Sequence, residues 1–369
     1  MLPSVRAPDR EDARLLLEIL SHPEAGERLT PAQWDLLVRS ARACELLGVL
    51  HARISGQAWA AKLPPGPARH LLGAHHLCLH RQAMARYLLS AAETTLADAG
   101  VPVVLLKGMA YVAGDLPMSA GRMFDDVDIM VPRQDLDRVE RLLATAGWVS
   151  EKPDAYDQHY YRAWSHELPP MRHENHALQL DVHHTILPPT GRARVDSDGL
   201  FARARPLPGT PWRVLAPEDQ AIHVAAHLFQ DSDCHGRIRE LVDFDGLVRH
   251  HARESGFWDR CTERAQAQRL GKALGLALRY AHAWLGTPAP DAALSAMQAA
   301  RPAAALDRAI RRTIFPVHPD GHPRDARGLA RTLLGARALW LRMPPGLIAY
   351  HASMKLLRSL TRKRATPSP

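Results

Sequence analysis

Apolar positions recur every three to four residues over the first part of the chain, a period that predicts helices through residues 1–98. Trp34, Leu37, Ala41 and Cys44 carry one such stripe, with Thr30 and Pro31 supplying its N-cap and first turn. Leu63, Pro64, Pro65, Gly66 and Pro67 break the pattern. A long helical stretch then runs from about Ala68 to Ala99, with Gly100 placed as its C-terminal cap.

At Val101 the period changes. An apolar run from Val101 to Leu106 ends in Lys107-Gly108, a short helix follows, and a second apolar run carries Asp126, Val127, Asp128 and Ile129 as far as Val131. Leu136 to Ala146 reads as a helix closed by Gly147. Tyr160–Trp164 and Ala177–Ile186 read as two further strands joined by a His- and Pro-rich loop. In the second of these, Leu178, Leu180 and Val182 alternate with Gln179, Asp181 and His183, so Asp181 and His183 share a face opposite the apolar one. Helical spacing returns at Ala216, with Pro217 in a first turn and a stripe through Ile222, Ala225, Ala226 and Phe229. Leu241–Val248, Phe257–Gln268 and Leu270–Leu285 continue as helices, the Pro/Ala-rich residues 287–304 read as a linker, and more helix follows. The pattern predicts an α+β protein: a small mixed sheet with helices at 99–190, between helical regions at 1–98 and 191–369.

Composition narrows the class only a little. The 369 residues are 46% hydrophobic and 23% charged, ordinary values for a globular chain. No apolar run approaches the roughly 20 residues of a membrane span, and acids precede the first apolar stretch, unlike a secretory signal. Cys44, Cys78, Cys234 and Cys261 are widely spaced with no CxxC, which fits buried free thiols in a reducing, cytoplasmic setting. The net charge of +8 is rich in arginine, yet aromatics are only 6% and no basic-aromatic RNA-binding motif stands out. Part of the excess is local: Lys355, Arg358, Arg362, Lys363 and Arg364 crowd the C-terminus, either as a solvated helix face or as a contact for an anionic surface.

The chemistry concentrates between positions 101 and 131. Strand alternation turns Asp126 and Asp128 to one face and Val127 and Ile129 to the core. Carboxylates crowded on one face repel unless a cation lies between them, and oxygen-only pairs suit a hard divalent ion. The same two acids would also serve as the solvated face of an edge strand. Asp125 points the other way and reads as a turn or cap residue. His75, His76 and His80 on the long helix read as solvated or packing side chains. His223 and His227, four apart on a helix with Cys234 and His235 nearby, have zinc-ligand spacing without the glutamate of a zincin; packing between helices and sheet is the alternative for His227.

With these residues laid out, the chain resembles the uncharacterised nucleotidyltransferases of bacteria, within the DNA polymerase beta-like superfamily. The likeness rests on Leu106-Lys107-Gly108, Arg122, Asp126-Val127-Asp128, Asp181-Val182-His183, and Pro217-Glu218-Asp219 with His227. It departs from the wider superfamily at the turn, where Lys107-Gly108-Met109 stands in place of Gly-Ser or Gly-Gly and offers no hydroxyl. The resemblance implies transfer of a nucleoside monophosphate from an NTP to a hydroxyl or phosphate on a small molecule or protein. It implies Asp126, Asp128 and Asp181 as catalytic ligands of two Mg²⁺ (or Mn²⁺) ions, with Lys107, Gly108 and Arg122 on the phosphate side. His183 is expected to bond a metal-bound carboxylate, the acceptor, or backbone. The competing reading is a nucleotide-binding regulatory or scaffold protein with the same fold and little turnover.

Overall fold

The computed structural model describes residues 6–96, 100–152, 154–296, 301–316 and 328–354. The N-terminal helices are α1 (Glu11–Ser21), α2 (Pro31–Ala43), α3 (Leu47–Ser55) and α4 (Pro65–Leu96). Thr30 caps α2 reciprocally with Gln33: its hydroxyl accepts from the Gln33 amide, and the Gln33 side chain accepts from the Thr30 amide. α4 starts inside the proline break, because prolines in a first turn give up only amides that would have no helical partner.

The central unit runs β1 (Val104–Leu105), α5 (Lys107–Ala113), β2 (Asp126–Met130), α6 (Leu136–Thr145), β3 (Val149–Ser150), α7 (Ala155–Trp164), β4 (Met171–Arg172), β5 (Gln179–His183), α8 (Ser197–Arg203), β6 (Arg205–Pro206) and β7 (Arg213–Val214). The sheet order is β3-β4-β5-β2-β1-β7-β6. β2 pairs in parallel with β5 and antiparallel with β1, so the sheet is mixed. Val127 and Ile129 are fully buried, and α4 and α5 pack on β2. Of the apolar run 101–106, only Val104 and Leu105 form strand.

Tyr160–Trp164 departs from the expectation of a strand. It is the end of α7, whose start is fixed by Asp154, its carboxylate accepting from the amides of Tyr156 and Asp157. A two-pronged Arg162–Glu140 pair ties the helix to α6. The aromatic run that favours a strand locally is overridden by this cap and tertiary pair. The second neighbour of β5, opposite β2, comes instead from Met171 and from an isolated bridge between Glu167 and His183.

The C-terminal helices are α9 (Pro217–Ala226), α10 (Ile238–His251), α11 (Phe257–Ala267), α12 (Gly271–Leu285), α13 (Asp291–Ala296), α14 (Ala304–Thr313) and α15 (Gly328–Arg342). The stretch expected as a linker thus contains α13. Every residue of α9 is buried, and α10, α11 and α12 pack around it. Its acids are neutralised rather than solvated: Asp219 meets Arg203 Nε at 3.2 Å and an Arg264 nitrogen at 2.7 Å, and Glu218 meets Arg264 at 2.7 Å. α12 also packs on α1, so one hydrophobic cluster runs from Ala13 to Leu334. Among the described residues, no helix is long and apolar enough to cross a membrane. The basic residues Lys355, Arg358, Arg362, Lys363 and Arg364 lie outside the described residues.

Candidate active site

The register of β2 and β5 builds the acidic face. Asp128 stands beside Asp181 on the neighbouring parallel strand, and Asp126 lies two residues earlier opposite Gln179. Alternation puts all three on the same side of the sheet. Asp126 is exposed, Asp128 is buried, and Asp181 lies between, with an Oδ1 that is sealed from solvent and lacks a hydrogen-bond partner. Burial first, then the charge of Asp128, push the Asp181 carboxyl up to about 8. Asp126 is also raised, chiefly by Asp128 and then by burial.

Asp128 is held the other way. Burial opposes its charge, but the Lys107 ammonium, followed by His183, outweighs that penalty and keeps the carboxyl well below the usual carboxylate range. Lys107 Nζ and His183 Nε2 both lie 2.9 Å from Asp128 Oδ1. Of the alternatives open for His183, the structure therefore gives the carboxylate contact. Lys107 reaches this position from a backbone in the left-handed region, φ 43°, which is strained for a side chain of this size.

Gly108 and Arg122 meet each other. A Cβ on Gly108 would lie 2.4 Å from Arg122 Nε and 2.9 Å from the Phe124 ring. The Arg122 guanidinium is buried, paired with Asp243 of α10 and placed over the Tyr111 ring. Its charge is nonetheless among those felt at Asp126. Gln82 of α4 holds the preceding loop, donating to the carbonyls of Ser119 and Arg122.

Asp243, His166 and Glu167 are the residues near this face that sequence reasoning did not single out. Asp243 left one signal, an acid inside the apolar run of α10; His166 and Glu167 sit in a loop with no period to mark them. Among the described residues, the His, Cys, Asp and Glu side chains whose ligand atoms lie within 4.8 Å of one another in threes are His166, Glu167 and His183. The three aspartates are not such a set.

The His223–His227 pattern does not gather zinc ligands. His227 Nδ1 is 3.1 Å from Glu240 Oε2, and the Cys234 thiol donates to the Leu228 carbonyl at 3.1 Å. Burial pushes that thiol up to about 12. His75 stacks on His51, while His76 and His80 are exposed. Asp125, just before β2, is exposed.

A mixed sheet with acids on paired central strands, a Lys-Gly pair opening the helix after the first strand, and helices on either side is the arrangement expected of a nucleotidyltransferase-type protein. A family model described as uncharacterised nucleotidyltransferase matches residues 30–286, and the chain belongs to that family. No curated protein and no solved structure matches it.

Proposed function

We propose that the chain transfers a nucleoside monophosphate from an NTP to a hydroxyl or phosphate acceptor on a small molecule or protein, with a divalent hard cation, in the cytoplasm. The observation that carries this reading is the in-register pair Asp128–Asp181 with Asp126 on the same face. The donor chemistry suits such a cation: the candidate ligand atoms are all oxygens, and the buried Oδ1 of Asp181 lacks a hydrogen-bond partner. Asp126, Asp128 and Asp181 would hold the metal, which when bound supplies charge neutralisation at the attacking and leaving oxygens.

The chain's own residues do the rest. Asp181, whose carboxyl is held above the usual range by burial and by Asp128, would act as base toward an acceptor hydroxyl once a bound cation keeps it in the carboxylate form. Lys107 is positioned to exchange its contact with Asp128 for a phosphate oxygen. Gly108 keeps the turn low over Arg122, and Arg122 lends charge from beneath rather than by contact. His183 fixes the orientation of Asp128.

One observation favours the second reading, a nucleotide-binding scaffold with little turnover: Lys107 already occupies the Asp128 oxygen that a metal would use. Binding of radiolabelled NTPs, all four bases with and without Mg²⁺, followed by a search for released pyrophosphate and labelled product with a cell extract supplying acceptor hydroxyls and phosphates, separates the two. Mg²⁺-dependent binding with pyrophosphate release supports transfer. Binding without release supports the scaffold, and no binding at all defeats both.

A further inference from the structure

Beside the aspartate face lies a second set of ligand atoms with a different chemistry. His166 and Glu167 belong to the segment that follows α7, and the backbone pins it against β5: Leu168 N donates to Val182 O at 2.8 Å and His184 N to His166 O at 2.9 Å. That pairing brings Glu167 opposite His183. Glu167 Oε2 then lies 3.4 Å from His183 Nδ1 and 4.0 Å from His166 Nε2.

These separations are long for hydrogen bonds, yet they approach the edge of roughly 3.3 Å between ligands on a tetrahedral ion with bonds of about 2.0–2.1 Å. Both imidazoles are buried, and His183 Nδ1, the nitrogen that faces Glu167, has no hydrogen-bond partner. A proton on His183 Nδ1 would serve Glu167 alone and leave His166 idle; a metal ion uses all three groups. His183 also turns its other nitrogen onto the Asp128 carboxylate at 2.9 Å. A metal-bound histidine steadied by a carboxylate on its second nitrogen is the usual outer-shell arrangement.

We propose that His166, Glu167 and His183 bind one divalent transition-metal ion of the zinc type, at a site separate from the hard-cation site assigned to the three aspartates. Two imidazoles and one carboxylate select Zn²⁺ or Co²⁺ over Mg²⁺, and three protein ligands leave a coordination position open. The bound ion holds His183 in the tautomer that donates from Nε2 to Asp128. The softer ion thereby sets the direction of a carboxylate in the neighbouring site.

The test uses the full-length protein stripped with a chelator and titrated with Co²⁺ in excess Mg²⁺. One equivalent is expected to bind with the visible absorption of four- or five-coordinate Co²⁺, and Zn²⁺ should displace it. His166→Gln should abolish that absorption and weaken Zn²⁺ binding on the order of tenfold or more, while Asp126→Asn and Asp181→Asn keep the spectrum. Circular dichroism checks each variant's fold; if His166→Gln does not fold, Glu167→Gln gives the same readout at a less buried position. Absence of Co²⁺ binding by the folded wild type overturns the proposal. So does a spectrum that survives the His166 and Glu167 substitutions but is lost in the aspartate variants. NTP binding with Mg²⁺ is measured separately, so this site and the transfer reading fail independently.

Discussion

Asp181 and Asp126 crowd Asp128, and without an ion that crowding, together with burial, raises both carboxyls above the usual range. Asp126→Asn or Asp181→Asn is therefore expected to leave the metal-free protein as stable as wild type or slightly more so while reducing transfer to background. Thermal melts beside a pyrophosphate-release assay check both halves, and a large loss of stability would argue against charge crowding. Gly108 and Arg122 act on fold as well as site. Gly108→Ala drives a methyl into Arg122 and Phe124 and should cost about 1–3 kcal/mol. Asp243→Asn removes the charge that neutralises a buried guanidinium and should cost about 3–5 kcal/mol; urea unfolding measures each. At this scale the sequence showed which acids share a face, because alternation along a strand is local information. It did not show that Arg122 is paired, since its partner stands 121 positions away.

Among the elements, α7 is the instructive departure. Its aromatic run has strand-like composition, and the helix depends on Asp154 and the Arg162–Glu140 pair. Asp154→Ala should cost about 0.5–2 kcal/mol and speed amide exchange in the first turn of α7 more than elsewhere, which hydrogen exchange by mass spectrometry resolves. The junction of α9 and α10 has a pH signature. Burial works against the charge of Glu240, but His227 and Arg237 more than offset it and hold the carboxyl below its usual range. A carboxylate with a depressed folded-state pKa contributes stability above its unfolded value of about 4.3 and loses it as pH falls. Glu240→Gln should thus be less stable than wild type near neutrality, with the difference shrinking as the pH drops below about 4; melts across acid pH would show whether the curves converge. The helices of the two flanking regions were legible because amphipathic stripes are strong and long. Strands of two residues, such as β3, β4, β6 and β7, carry too little alternation to be read, and their pairing is decided by distant neighbours.

For the whole molecule, the three regions read from the sequence share one hydrophobic cluster. One close seam between them lies at Gly48 of α3, where a Cβ would meet the Gly121 carbonyl oxygen and the Cys78 sulfur, and Gly121 itself has φ 75°. Gly48→Ala is expected to loosen the loop that leads into β2, read as lower stability and weaker Mg²⁺-dependent NTP binding together. That seam joins segments more than seventy positions apart, so no local pattern announces it. The parallel pairing of β2 with β5 has a consequence for how the chain reaches its native state. Contacts of such long sequence separation pay loop-closure entropy before they return any energy, and they slow folding. During synthesis, Asp126 and Asp128 emerge well before Asp181, and Arg122 waits for Asp243. No intermediate that stops short of Asp243 holds the assembled face, so binding of a cation or nucleotide there reports that the circuit from β2 to α10 has closed.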